Sequence, residues 1–261
     1  GFIGSHIVEL LLSKRYAVRC LVRMTSDLTW LKGLDIERVH GDLFDETALR
    51  NAVADVDYVY HSAGLTKAKT KADYFRGNAT GTANLLDAVL RHNPTLTRFI
   101  HISSQAAVGP SETRNPITED TPPHPITTYG RSKWRAEGEC LERLNRIPIT
   151  IVRPPVVYGP RDKDVFEFFN TMRKGLQPIV GFKEKYVSMI HVSDLVRGFV
   201  MAGESEKAAG GTYFISSKDV YGWEEIGDEM KKVMDTRVVR VRLPETAVYL
   251  VAAFAEFFAL F

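Results

Sequence analysis

Gly1-Phe-Ile-Gly4-Ser-His-Ile-Val-Glu-Leu-Leu-Leu12 is a glycine turn that runs straight into a helix. Ile7, Leu10 and Leu11 recur at helical spacing, and Val8 and Leu12 widen the apolar stripe. A β-rich stretch, residues 16–22, follows. Glycines let a backbone approach an anion at a helix N-terminus. Turn, helix and strand in this order therefore read as the second half of a dinucleotide-binding βαβ unit. The first strand and first glycine of such a fingerprint would precede Gly1, so the sheet is expected without its first strand.

The alternation continues outward. Strand-like residues 36–40 end in Gly41-Asp42-Leu43, and 56–61 run into Ser62-Ala63-Gly64. Residues 97–102 end at Ser103-Ser104, and 149–152 end at Arg153-Pro-Pro-Val-Val-Tyr-Gly159. Helical stretches at 47–53, 78–91 and around 129–144 lie between them. Strands alternating with helices, with small or polar residues after each strand, predict an α/β fold with a doubly wound parallel (Rossmann) sheet. Ligands of such sheets bind at the carboxyl ends of the strands.

Beyond Gly159 the pattern loosens into helices at 166–174, 193–202 and 223–234 and strands at 186–191, 212–215 and 237–242. The chain is thus expected to divide into a dinucleotide-binding domain, 1–159, and a smaller substrate-binding lobe, 160–261. A loop at 115–128, carrying Pro116, Pro122, Pro123 and Pro125, is placed to overhang the site.

Composition narrows the function classes. The 261 residues are 44% hydrophobic and 25% charged, ordinary for a globular chain. Net charge is +2, without a basic tract, which speaks against a nucleic-acid partner. Cys20 and Cys140 form neither a disulfide framework nor a metal-ligand spacing, so no metal is expected and a reducing cytoplasm is. The apolar run 247–261, broken by Glu256, is shorter than the roughly 20 residues a membrane span needs. It reads as a docking or membrane-surface helix, so peripheral membrane contact is expected.

Tyr129-Gly-Arg-Ser-Lys133 carries the chemistry. Tyr and Lys four residues apart meet on one helical face. An ammonium beside a phenol favours the phenolate and lowers its pKa. With a serine hydroxyl such as Ser104 beside it, the phenol can move a proton to or from an alcohol or carbonyl. Y-x-x-x-K alone is common as a helix-surface pair, and its weight comes from the strand-end motifs around it.

Taken together and in order, Gly1-Phe-Ile-Gly4, Gly41-Asp42, His61-Ser-Ala-Gly64, Asn78-Ala-Thr-Gly-Thr-Ala-Asn84, Ser103-Ser104, Tyr129-Gly-Arg-Ser-Lys133, Arg153 to Gly159 and Ile190-His-Val-Ser-Asp194 resemble the extended short-chain dehydrogenase/reductase family, the class of the NAD(P)-dependent epimerases and dehydratases. The resemblance implies that Tyr129 is the catalytic acid/base and that Lys133 binds the nicotinamide ribose and lowers the Tyr pKa. It makes Ser104 the hydroxyl that polarises the reacting oxygen, with Ser103 as runner-up. Cofactor contacts fall to Gly1, Phe2, Ile3 and Gly4, to Arg23, to Asp42 and Leu43, to Ser62, Ala63 and Gly64, and to Pro154, Val156 and Val157, together with Tyr129 and Lys133. Asn78 suits loop bracing as well as catalysis. His191 and Asp194 suit bracing and helix capping.

Two departures narrow the resemblance. The end of the second strand reads Leu21-Val22-Arg23, with no carboxylate for a ribose 2′-hydroxyl. Arg23 would pair a 2′-phosphate, which favours NADP over NAD. Val156 and Val187 stand where sugar-nucleotide enzymes carry an Asn and a basic residue, and Gln105-Ala106-Ala107 replaces a dehydratase Asp-Glu pair. The pattern is closest to the 3β-hydroxysteroid dehydrogenase and dihydroflavonol reductase branch. The expected function is hydride transfer between NAD(P) and an alcohol or carbonyl of a small, hydrophobic substrate. The alternatives are a nucleotide-sugar epimerase with retained cofactor and a non-catalytic NADP-binding regulator. A homodimer is usual in the resembled family.

Overall fold

The computed structural model describes residues 1–111, 115–235, 237–244 and 246. The apolar run 247–261, and with it the expected membrane-surface helix, lies outside the described residues. In chain order the elements are α1 (Phe2–Ser13), β1 (Arg19–Val22), β2 (Glu37–His40), α2 (Glu46–Val53), β3 (Tyr58–His61), α3 (Lys71–Phe75), α4 (Gly81–His92), β4 (Arg98–Ile102), α5 (Thr128–Leu141), β5 (Ile149–Arg153) and β6 (Val156–Tyr158). They continue as α6 (Asp164–Arg173), β7 (Leu176–Val180), β8 (Tyr186–His191), α7 (Val192–Glu204), β9 (Thr212–Phe214), β10 (Val220–Gly222), α8 (Trp223–Met234) and β11 (Val239–Leu243).

The chain forms two compact units, Gly1–Val157 with Ile190–Ser216, and Tyr158–Met189 with Ser217–Phe261. A single boundary after residue 159 does not anticipate the return of Ile190–Ser216 to the first unit. The cause is the apolar face of α7: Leu195, Val196 and Phe199 pack with Ile100, Ile102 and Val152 of β4 and β5.

In the first unit β3, β4, β5 and β9 form a parallel sheet in that order, and β1 pairs in parallel with β2. All residues of β4 and β5 are buried, as expected of parallel strands covered on both faces. One face packs Phe99, Ile149 and Ile151 against Leu49, Val53, Leu85, Leu86, Val89 and Cys140 from α2, α4 and α5. The other packs Ile100 and Val152 against α7 and Ile7 of α1. The next residue of α1, Val8, joins Val22 and Leu31, so one helix serves the cores beside both strand sets. The register sets His61 beside His101 and Ile102 beside Val152, which brings the carboxyl ends of β3, β4 and β5 side by side.

In the second unit β11 pairs in parallel with β7, and β10 runs antiparallel to β8 through Val220↔Ser188. An apolar cavity of about 330 Å³ is lined by Phe168, Pro178, Ile179, Val180 and Trp223, with Lys183 and Lys185 among its polar neighbours.

Candidate active site

Helix α5 begins where Thr127 caps it, its Oγ1 accepting from the Gly130 amide at 2.9 Å. The next contact requires glycine. A methyl on Gly130 would lie 2.3 Å from the carbonyl oxygen of Ala106, so only glycine lets this first turn rest on the backbone just after β4. That approach sets Tyr129 beside Ser104, whose hydroxyl pulls the pKa of the phenol down. Ser104 Oγ also accepts from the Ala106 amide at 3.2 Å, which holds its rotamer.

Lys133 lies one turn further along α5 and is 4% exposed. Its Nζ donates to the Ile102 carbonyl at 2.7 Å, fastening the helix to the end of β4. Burial pulls its pKa down to about 8, against the raising pull of the Glu137 carboxylate. Gly64 sits above the ammonium: a methyl there would lie 3.9 Å from Nζ and 3.1 Å from Asn78 Oδ1. Asn78 braces the loop after β3. Its Oδ1 accepts from the Leu65 amide, and its Nδ2 donates to the Leu65 carbonyl and to Ser132 Oγ.

The expected lowering of the Tyr129 pKa by Lys133 does not occur. Burial pushes the phenol above its ordinary value, the Ser104 hydroxyl pulls it back, and Tyr74 adds to the rise. The resting Tyr129 is the neutral phenol, because burial outweighs the pull of the Ser104 hydroxyl. The two adjacent serines separate cleanly. Ser103 Oγ donates to Glu137 Oε1 at 2.5 Å, away from Tyr129, so Ser104 is the serine at the phenol.

The other residues singled out from sequence fall along the same strand ends of the first unit. Gly1 leads into α1, whose first amides, Phe2, Ile3 and Gly4, have no partner within the helix. Gly4 packs so close to the end of β3 that a methyl on it would meet Ser62 Oγ at 3.0 Å. Ala63 is exposed. Arg23, Gly41, Asp42 and Phe44 line an open concavity of about 460 Å³. Asp42 Oδ1 accepts from the Phe44 amide, so the residue closes a turn. Leu43 is half-buried, and its carbonyl is held by Asn84. The Pro154 carbonyl accepts from the Gln105 amide, while Val156 and Val157 are half-buried in β6. His191 caps α7, its Nδ1 accepting from the Ser193 amide.

Three features were not anticipated. Glu137 is 1% exposed, and both its oxygens are held by Arg153. A charged residue four places after Lys133, on the same helical face, was the available signal. Tyr74 stands with its ring centroid 6.5 Å from that of Tyr129. His61 and His101 are buried side by side, and burial pulls His61 down to about 3. Among the described residues no cluster of His, Cys, Asp or Glu could hold a metal, and no helix is long and apolar enough to cross a membrane.

A family model for the NAD dependent epimerase/dehydratase family matches residues 1–216. Sterol demethylase protein B of Methylococcus capsulatus is 34% identical over 167 residues, which are 62% of this chain and 50% of that protein. Ceramide reductase of Caulobacter vibrioides is 30% identical over 257 residues, 98% of this chain and 75% of that one. The solved structure of UDP-glucuronic acid 4-epimerase from Bacillus cereus in complex with NAD has a TM-score of 0.82 at 26% identity, covering 94% of this chain and 83% of its own. The chain thus spans half the length of the first of these relatives.

Proposed function

Because the chain belongs to the NAD dependent epimerase/dehydratase family, we propose that it is an oxidoreductase that reduces a carbonyl on an apolar substrate, or oxidises the matching alcohol. The Ser104 hydroxyl at the Tyr129 phenol, beside a buried Lys133, carries this reading.

The residues present fit a nicotinamide dinucleotide. The free amides at the start of α1 suit a pyrophosphate. Lys133 has three N–H donors and only one is used on Ile102, which leaves donors for ribose hydroxyls. Arg23 has no side-chain hydrogen bond or ion pair among the described residues, and its charge suits a 2′-phosphate. NADP is therefore preferred over NAD, with Asp42, Leu43, Ser62, Ala63 and Gly64 along the cofactor's path and Pro154, Val156 and Val157 at its nicotinamide end. When bound, the nicotinamide supplies the hydride-accepting or hydride-donating carbon.

The protein's own residues handle the proton. Ser104 Oγ holds the substrate oxygen, and Tyr129 Oη gives that oxygen its proton in reduction or takes it in oxidation. A phenol raised by burial is protonated at neutral pH, ready to give its proton to a carbonyl oxygen. Lys133 is the buried cation one turn further along the same helix. Its ammonium is present below its pKa of about 8 and is lost as pH rises through that value. Turnover is therefore expected to fall on the alkaline side near pH 8.

An apolar substrate is supported by Val156, whose side chain offers a diphosphate neither charge nor donor. The names of two relatives, a sterol demethylase component and a ceramide reductase, point the same way. A second reading, a sugar-nucleotide epimerase with retained cofactor, draws on the likeness to the Bacillus cereus epimerase. Incubating the protein with NADPH or NADH and a panel of ketones on sterol, acyl and sugar-nucleotide frames separates the two. Net loss of nicotinamide absorbance with an apolar ketone supports the first reading, and sugar interconversion without net change supports the second. A non-catalytic NADP-binding regulator would bind dinucleotide and turn over nothing, and would have no use for the proton-handling set.

A further inference from the structure

Beneath the end of β4 lies a group of charges that the proton chemistry does not itself use. Glu137 and Lys133 are one turn apart on α5, and both are buried. Arg153, at the end of β5, donates from Nε and Nη2 to the two Glu137 oxygens at 3.0 and 2.7 Å. Ser103, the residue before Ser104, donates to Glu137 Oε1 as well. The guanidinium lies 5.6 Å over the Phe214 ring, and its Nη1 finds no acceptor among the described residues. The other titratable groups facing Lys133 are Cys140 on its own helix, His101 on β4 and His61 on β3. Burial holds both histidines neutral and keeps the Cys140 thiol protonated. Two buried cations therefore share one anion.

We infer that Glu137 is a positioning residue of the active site: its carboxylate is the buried counter-charge of Lys133, and through Ser103 and Arg153 it fixes the strand end from which Ser104 projects. The inference rests on the reading of Ser104, Tyr129 and Lys133 as the proton-handling set. It adds to that set a carboxylate that touches neither substrate nor cofactor. A carboxylate that only ties α5 to β5 would contribute stability and nothing else. A counter-charge also decides the pH at which Lys133 loses its proton. Removing an anion makes the ammonium harder to keep, so the Lys133 pKa falls and the alkaline limb of activity moves to lower pH.

The test is the titration of Lys133 itself, followed by NMR of the full chain carrying carbon-13 at lysine Cε, with the resonance assigned from Lys133→Met. In Glu137→Gln the midpoint is expected to fall by about one pH unit or more, the size of effect a close opposite charge has. In Glu137→Asp, which keeps the charge, it should return toward the wild-type value. If Glu137→Gln does not fold, the double variant Glu137→Gln/Arg153→Met is compared with Arg153→Met, so that the loss of the guanidinium is common to both and the fall in midpoint reports the carboxylate. An unchanged Lys133 midpoint in Glu137→Gln against wild type, or in the double variant against Arg153→Met, overturns the inference, whatever the enzyme's activity. Fluorescence titration with NADPH and NADH, on the same wild-type sample, tests the functional reading separately. Failure of wild type to bind either overturns that reading and leaves the Lys133 titration to decide the counter-charge.

Discussion

Beneath the end of β4, Ser103, Lys133, Glu137 and Arg153 are all buried, and each is held by a named partner. At the ends of β1 and β2, Arg23, Asp42 and Phe44 are exposed, and backbone turns hold their segments: the Arg23 amide donates to Ser26 Oγ, and the Phe44 amide donates to Asp42. The difference follows from desolvation. A charge out of water must find its partners inside the protein, so its geometry is fixed by several groups at once. A charge in water has no such demand and is free to meet a ligand. The buried end suits chemistry, which needs fixed distances. The open end suits recognition, where one side chain can change preference without disturbing the fold.

If that contrast holds, substitutions should lose effect from the buried end to the open one. Arg153→Met takes the guanidinium from both Glu137 oxygens and leaves the buried carboxylate with Ser103 and Lys133 alone. It is expected to destabilise the first unit by about 3–5 kcal/mol, read as a lower denaturant midpoint. Ser104→Ala removes one donor at the reacting oxygen and should lower kcat by about 10²–10³ with little change in stability. Gly130→Ala puts a methyl against the Ala106 carbonyl and should cost about 1–3 kcal/mol, with reduced kcat as Tyr129 is pushed from Ser104. Arg23→Ala should weaken NADPH by about tenfold, leave NADH nearly unchanged and leave stability untouched. Equal loss for both dinucleotides would break the assignment of Arg23 to the 2′-phosphate.

A pH-dependent effect belongs to the histidines. The folded pKa of His61, about 3, lies below its ordinary 6.5, so the unfolded chain binds the proton more readily. The stability held by neutral His61 is present above pH 6.5 and is lost as pH falls toward 3. Urea midpoints measured across that range should decline for the wild type and decline less steeply for His61→Gln.

Much of this was legible from the residues. The strand ends that carry chemistry announce themselves because each β-rich run stops at a small or polar residue. The spacing of Tyr129 and Lys133 needs only helical periodicity. β7 escaped notice because Pro178 interrupts Leu176–Val180, and a proline argues against a strand until its pairing with β11 is seen. The return of Ile190–Ser216 to the first unit depends on which core the apolar face of α7 meets, and no local pattern specifies that. The direction of the Tyr129 shift was misread for a similar reason. Adjacency to Lys133 is visible in the sequence, but the burial of the phenol and the engagement of Nζ with Ile102 arise only on folding.

The most direct measurement is a matched pair: NADPH binding and carbonyl-dependent NADPH consumption by the wild type and by Tyr129→Phe, with the ketone panel described above. The account predicts equal binding, net consumption by the wild type and turnover about 10²–10⁴ lower in the variant. Undiminished turnover in Tyr129→Phe would contradict it.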